Sequence, residues 1–256
     1  MKIDRVEWSD YFDHIYCVHY APYKERKVEL EKELDRVGIL SSGIFSYHYT
    51  FPTPFDDDLM KNPEFNHAEF GMRFNKGAVN LAMGHYNIMA EAVSFEYNRI
   101  LIIEDDIAFL KDINMIKNIL DKMPNKDIIL FDKITPDERQ YKMSLQYDKI
   151  NDYYVNTGAL VLWCADCYSV NTKGMKHIIK NQETWFNVAD YYTNCFAPYG
   201  GPWNIQFDGI TRAFAIKNLA CQKPNDITVS DHGESKSVYQ QNNQYNCGID
   251  LNDYNI

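Results

Sequence analysis

The stretch Arg99-Ile100-Leu101-Ile102-Ile103-Glu104-Asp105-Asp106-Ile107-Ala108-Phe109-Leu110 decides the fold of this chain. Its four consecutive apolar residues, three of them β-branched, predict a strand that is buried on both faces. Three carboxylates follow directly, and because like charges repel and an unpaired buried charge is costly, they must be solvated or share a cation. Ligands of open parallel sheets lie beyond the carboxyl ends of strands, so the pattern predicts a divalent-metal site. A solvated turn, with Asp106 capping the segment that follows, is the alternative.

Strands and helices alternate along the chain on both sides of this stretch. Predicted strands cover residues 14–20, 43–49, 100–103, 127–131, 155–163 and 219–222, and predicted helices cover 24–36, 77–97, 112–123, 173–180 and 208–217. Gly38 is the predicted stop of the first helix. This order is typical of an α/β protein with a mixed, mostly parallel sheet flanked by helices. The length of 256 residues fits a single domain over 1–256, with an Asn- and Gln-rich tail from about 233 whose composition is compatible with mobility.

Composition narrows the range of partners. The chain has 26 Lys and Arg against 36 Asp and Glu, a net charge of −10, which makes a nucleic-acid partner less expected. No apolar run approaches the roughly 18 residues that span a bilayer, and the first residues lack the apolar segment of a signal peptide. We therefore expect a cytoplasmic protein without a membrane span. Six dispersed cysteines do not form a disulfide scaffold.

The segment Cys164-Ala165-Asp166-Cys167 follows a predicted strand and has the form of the thioredoxin redox motif. Asp166 would raise the pKa of a neighbouring thiol, because a like charge disfavours the thiolate. Two incidental thiols at a strand–helix junction therefore explain the motif better. A thiol-disulfide oxidoreductase that uses Cys164 and Cys167 stays as an alternative hypothesis.

A longer pattern resembles glycosyltransferase family 25, the lipopolysaccharide- and collagen-type sugar transferases. In that family a helix with a Ser-His pair precedes a strand that ends in Leu-Glu-Asp-Asp, and here Gly84-His85 precedes Ile103-Glu104-Asp105-Asp106. Further segments that match the family's order are the first strand and helix with Arg26, Asn156 to Val161, Phe207-Asp208, Gln222 and Ser230-Asp231-His232. Glycine replaces the serine of the Ser-His pair at position 84.

The resemblance implies a GT-A fold and a metal-dependent transfer of a hexose from a nucleotide-sugar donor, a UDP-sugar, to an acceptor hydroxyl with inversion. The acceptor is expected to be a glycan or glycoconjugate. The implied ligands of Mn²⁺ or Mg²⁺ are Glu104, Asp106 and His232, and the implied donor-binding residues are Tyr20, Arg26, His85 and Asp105. Two residues are candidates for the carboxylate that takes the acceptor proton. Asp208 is the first because it starts a predicted helix after a loop, and Asp190 is the second.

Each of these roles has a structural alternative. A lone helical histidine such as His85 is commonly a packed residue, Asp208 fits a helix N-cap, and His232 fits a solvated tail. Tyr16, Tyr20 and the aromatic stretch 191–203 are candidates for stacking on the donor base or an acceptor sugar, with ordinary packing as the alternative. A non-catalytic module that binds nucleotide sugars or glycans is a further hypothesis.

Overall fold

The computed structural model describes residues 5–51, 76–132, 142, 145–146, 148–156, 166–184, 209–222 and 253–254. The described strands are β1 (His14–Tyr20), β2 (Phe45–Thr50), β3 (Arg99–Glu104), β4 (Ile107–Phe109), β5 (Ile128–Leu130), β6 (Tyr154–Asn156), β7 (Cys167–Asn171), β8 (Arg212–Ala215) and β9 (Ala220–Gln222). The described α-helices are α1 (Lys24–Arg36), α2 (Lys76–Ser94), α3 (Ile113–Asp121) and α4 (Thr172–Thr184).

One large sheet organises the described part of the chain. Its strands lie in the order β2-β1-β3-β7-β5-β8-β6, and β4 pairs with β9 in a separate two-stranded sheet. Strands β7 and β6 run antiparallel to their neighbours, so the other five of the seven strands point in one direction. The predicted mixed, mostly parallel sheet flanked by helices is confirmed.

The central strands β1 and β3 are buried on both faces, which explains their unbroken apolar sequences. Alternate residues enter two separate cores because successive side chains of a strand point to opposite faces. Residues Ile15, Cys17, Leu101 and Ile103 pack in one core with Leu30 and Leu34 of α1. Residues Tyr16, Val18, Ile100 and Ile102 pack in the other core with Ile88 of α2 and Met175 of α4.

The ends of two helices follow their sequence signals. Gly38 has φ +82°, its N–H donates to the carbonyl of Asp35 at 3.0 Å, and the N–H of Ile39 donates to Leu34 at 2.8 Å. These two bonds form a Schellman motif, which confirms Gly38 as the stop of α1. At α3, the Asp112 side chain accepts from the backbone N–H of Asn114 at 2.9 Å and caps the helix.

Two predictions about the C-terminal half are wrong. Residues 212–215 form strand β8 and not part of a helix, because Ala213, Phe214 and Ala215 are fully buried and pair with β5 on one side and β6 on the other. Cys167 does not lie at a strand–helix junction, since it opens strand β7 between β3 and β5.

Gly84 lets α2 approach the ends of β1 and β2 closely. A Cβ atom at this position would lie 2.9 Å from Cγ2 of Thr50 and 3.0 Å from Cγ1 of Val18, closer than carbon atoms pack without displacement. A serine, which the family pattern has before the histidine, would therefore need both strands or their side chains to shift. The glycine thus fits this packing of helix on sheet better than any residue with a Cβ atom.

We expect Gly84→Ala to lower the free energy of unfolding by about 1–3 kcal/mol, because overpacking outweighs the better helix propensity of alanine. Urea unfolding measures the change. The double variant Gly84→Ala with Thr50→Ser removes the methyl group nearest the new Cβ and should recover part of the loss. A Gly84→Ala protein as stable as the wild type would contradict this account of the contact.

Candidate active site

Three consecutive acidic residues lie at the junction between β3 and β4. Glu104 is the last residue of β3 and Ile107 is the first of β4, so Asp105 and Asp106 make the turn. Only 8% of Asp105 and 6% of Asp106 is exposed. The alternative of a solvated turn with Asp106 as a cap is therefore wrong, because the carboxylates are buried and the next element is a strand. We call Glu104, Asp105 and Asp106 the acidic turn.

Asp105 joins the acidic turn to the first strand and the first helix. Its Oδ2 atom lies 2.7 Å from Nδ1 of His19 and accepts from the backbone N–H of Tyr20 at 3.2 Å. Its Oδ1 atom accepts from Nη1 of Arg26 at 3.0 Å. The structure thus brings Tyr20, Arg26 and Asp105 together, as expected for one site. Direct contact of Asp105 with a donor ribose stays a prediction.

Arg26 places a positive charge between two aspartates. Its Nη1 atom lies 3.5 Å from Oδ2 of Asp106 as well as 3.0 Å from Asp105, and its guanidinium carbon lies 4.8 Å from the centre of the Tyr23 ring. Burial lowers the pKa of Arg26, but the charges of Asp106 and Asp105 outweigh burial and the net shift is upward. The guanidinium therefore stays charged and neutralises part of the acidic turn.

Glu104 is held from the other side by α2 and β7. Nε2 of His85 lies 3.3 Å from Oε1 of Glu104, while Nδ1 of His85 lies 2.8 Å from the hydroxyl of Tyr168, on which the ring stacks. Burial, and then the charge of Asp105, raises the pKa of Glu104 to about 8, with Arg26 opposing the shift. Glu104 is therefore mainly protonated at neutral pH when no added cation is present. His85 is a buried, packed residue, and its contact with a donor stays a prediction.

Of the three predicted metal ligands, Glu104 and Asp106 lie in the part of the chain that the structure describes. Their hard oxygen atoms match the preference of Mg²⁺ and Mn²⁺, which commonly bind one or two carboxylates and take further ligands from substrate phosphates and water. In residues 5–51, 76–132 and the other described segments, no group of three or more His, Cys, Asp or Glu is arranged to hold a metal ion. The third predicted ligand, His232, lies outside those segments, so the metal site stays a prediction.

The same edge of the sheet carries residues that the sequence analysis did not select. Asp132 follows β5, is fully buried and accepts from Nδ2 of Asn218 at 2.8 Å. Asp166 precedes β7, and its carbonyl accepts from the N–H of Glu104 at 2.8 Å. Asp132 has the same signal as the acidic turn, an acid directly after a buried apolar run. Nothing in the sequence links Asp166 to Glu104 or Tyr168 to His85, because the sequence does not predict β7.

The redox hypothesis finds no support in the described residues. Cys167 is fully buried within the sheet, and burial, with Asp132 and Asp166 adding to it, raises the pKa of its thiol well above the usual value. A redox-active thiol needs the opposite shift and an exposed position, commonly at a helix N-terminus. Cys164 lies outside the described residues.

Two of the remaining candidates, Tyr16 and Tyr20, lie in the part of the chain that the structure describes, and the others lie outside it. Tyr16 is buried in the core and donates its hydroxyl to Glu91 at 3.0 Å, so its predicted stacking on a ligand is wrong. Tyr20 lies at the end of β1, with its ring edge-to-face against Tyr23 at 4.9 Å. The candidates outside the described residues are Asp190, Asp208, the aromatic stretch 191–203 and the tail from about 233.

Comparison with known proteins gives distant structural similarities. No family model matches the chain, and no curated protein matches it. The structure is similar to the crystal structure of a mannose-1-phosphate geranyltransferase from Thermus thermophilus, with 10% identity, 79% of this chain and 73% of that chain covered, and a TM-score of 0.36. It is also similar to a glycosyltransferase involved in glycosylation of the major capsid of PBCV-1, with 14% identity, 71% of each chain covered and a TM-score of 0.33. At these TM-scores neither similarity carries an argument about this chain.

Within the described segments, the helices are too short or too polar to cross a bilayer.

The protonation of Glu104 predicts how stability depends on pH. Because its pKa is about 8 in the folded protein and near 4.5 in the unfolded chain, the folded state binds the additional proton between these values. The contribution of Glu104 to the free energy of unfolding should therefore fall as the pH rises from about 5 to about 8, and over that range Glu104→Gln should gain about 1–3 kcal/mol relative to the wild type. Urea unfolding of both proteins in EDTA at several pH values measures this difference.

The control is Glu29→Gln, which removes one negative charge from the exposed surface of α1. The free energy of unfolding of this variant should depend on pH in the same way as that of the wild type. If Glu104→Gln shows the same slope as the wild type, Glu104 is ionised in the folded protein and the pKa shift is refuted.

Proposed function

We propose that this chain is a GT-A-type glycosyltransferase that moves a hexose from a nucleotide sugar, a UDP-sugar, to a hydroxyl of a glycan or glycoconjugate with the help of Mn²⁺ or Mg²⁺. The observation that carries the proposal is the acidic turn, buried at the carboxyl edge of the mixed sheet with Arg26 between two of its carboxylates. Buried like charges are costly, and proteins keep them mainly where they bind or catalyse.

The position of the acidic turn supports a donor site. Ligands of open α/β sheets bind beyond the carboxyl ends of strands. At this edge the end of β1, the first turn of α1 and the acidic turn meet through the contacts of Asp105. Tyr20 and Tyr23 add flat aromatic surface beside Arg26, which suits a ligand with a base or sugar ring.

The transfer breaks the bond between the anomeric carbon and the diphosphate, which leaves as a nucleoside diphosphate with increased negative charge. Arg26 stays protonated, and in the proposed site it would donate hydrogen bonds to that charge. A divalent cation held by Glu104 and Asp106 would neutralise further charge on the leaving group. Glu104 would give up its proton when it becomes a ligand, so binding of the metal should release a proton.

The acceptor hydroxyl attacks the anomeric carbon from the face opposite the leaving group if the configuration inverts. A carboxylate must then take the hydroxyl proton as the new bond forms. Asp208 and Asp190 remain the candidates for this base. Residues 212–215 of the helix that motivated Asp208 form β8 instead, so Asp208 now rests on the resemblance and Asp190 on its residue type.

The first test is release of nucleoside diphosphate from a panel of nucleotide sugars in Mn²⁺, Mg²⁺ or EDTA, since many transferases hydrolyse their donor slowly without an acceptor. We expect release from one donor that requires the metal. Asp106→Asn keeps the size of the side chain but removes its charge and should lower the rate at least about 100-fold. The matched control, Asp152→Asn, changes an exposed aspartate that pairs with Lys149 and should leave the rate unchanged.

Two results would contradict the proposal. Absence of release with every donor, together with no metal-dependent thermal shift on addition of UDP, would refute a nucleotide-sugar site. Tight donor binding without release, even with acceptor glycans present, would indicate the non-catalytic binding module instead.

A further inference from the structure

His19 is a buried residue beside the acidic turn that the proposed function does not use. It is the second-to-last residue of β1, and only 1% of it is exposed. Its Nδ1 atom lies 2.7 Å from Oδ2 of Asp105. Asp105 also accepts from Tyr20 and Arg26, so it is the acceptor in all three contacts and Nδ1–H of His19 donates.

The His19 ring is fixed by its surroundings. Tyr47 and Tyr49 of β2 meet it edge to face, with ring centres 5.8 Å and 5.7 Å away. The hydroxyl of Thr50 donates to the backbone carbonyl of His19 at 3.4 Å. Because the ring is enclosed and its strand lies inside the sheet, His19 can give Asp105 a hydrogen bond of constant direction.

That direction determines how Asp105 meets Arg26. His19 and the N–H of Tyr20 both hold Oδ2, so the carboxylate plane is set and Oδ1 faces Nη1 of Arg26. Without the histidine, Oδ2 would keep only the backbone donor of Tyr20, and the carboxylate would be free to tilt about its Cβ–Cγ bond within the limits set by Tyr20 and Arg26. The guanidinium would keep its contact with Asp106 at 3.5 Å, but its 3.0 Å bond to Asp105 would be held less firmly.

We propose that His19 is a positioning residue, which through Asp105 fixes the guanidinium of Arg26 where the donor diphosphate binds. The inference rests on the proposed function, because it assigns His19 to the same donor site. In metal sites, removal of the hydrogen-bonding partner behind a ligand typically costs roughly 10–100-fold in affinity or activity, and we expect a loss of similar size here.

The test compares His19→Ala and His19→Asn in the donor-release assay. Alanine removes the donor, and we expect kcat/KM to fall by about 10–100-fold, with the KM for the nucleotide sugar accounting for most of the change. The side-chain amide of asparagine offers an N–H in a position similar to Nδ1–H, so His19→Asn should recover most of the loss. Equal impairment of both variants, or full activity of His19→Ala, would overturn the proposal.

His14→Asn is the matched control. His14 lies at the opposite end of the same strand, is partly buried and makes a 2.8 Å hydrogen bond with the hydroxyl of Ser46. This variant should keep the wild-type kcat/KM. A comparable loss in His14→Asn would show that any change in β1 disturbs the site, and it would count against a specific role for His19.

A second readout does not depend on turnover. The NMR signal of the Arg26 Nε–Hε group reports the environment of the guanidinium, and we expect it to shift in His19→Ala and to return towards the wild-type position in His19→Asn. An unchanged signal in His19→Ala would overturn the proposal. If the wild type releases nothing from any donor, the proposed function fails, and this signal alone still decides whether His19 acts on Arg26.

Discussion

The hydrogen bonds that Asp105 accepts are the interaction on which the described site depends. A carboxylate with 8% of its surface exposed, between two other acids, is unfavourable unless donors surround it. The donors come from the end of β1 and from α1, so the same bonds that stabilise the charge also fix these elements on the acidic turn.

Each of the three neighbouring acids avoids the cost of an unpaired buried charge in a different way. Asp105 accepts hydrogen bonds from a histidine, a backbone amide and an arginine, while Asp106 shares that arginine at 3.5 Å. Glu104 keeps its proton, because burial and the charge of Asp105 raise its pKa to about 8. The site is therefore less charged than its sequence suggests.

Most of the fold could be predicted from local sequence, whereas the connections within the site could not. Apolar runs such as 100–103 predicted the central strands, and Gly38 predicted the end of α1, because each signal lies within a few residues of its effect. Strands β7 and β8 were missed because their burial depends on neighbours that are distant in sequence. His19 contacts an aspartate 86 positions away, and no local pattern carries that information. The direction of β7 could not be predicted locally either. Because β7 runs antiparallel to β3, Asp166 and Tyr168 lie at the edge where β1 and β3 end.

The close approach of α2 to the sheet at Gly84 has a consequence for how this sequence can diverge. Val18, Thr50 and Gly84 come from three separate elements but fill one small volume. A larger residue at position 84 avoids the overpacking when position 50 or position 18 becomes smaller. Among homologues, these three positions should therefore covary, and a serine before the histidine should be accompanied by a smaller side chain on β1 or β2.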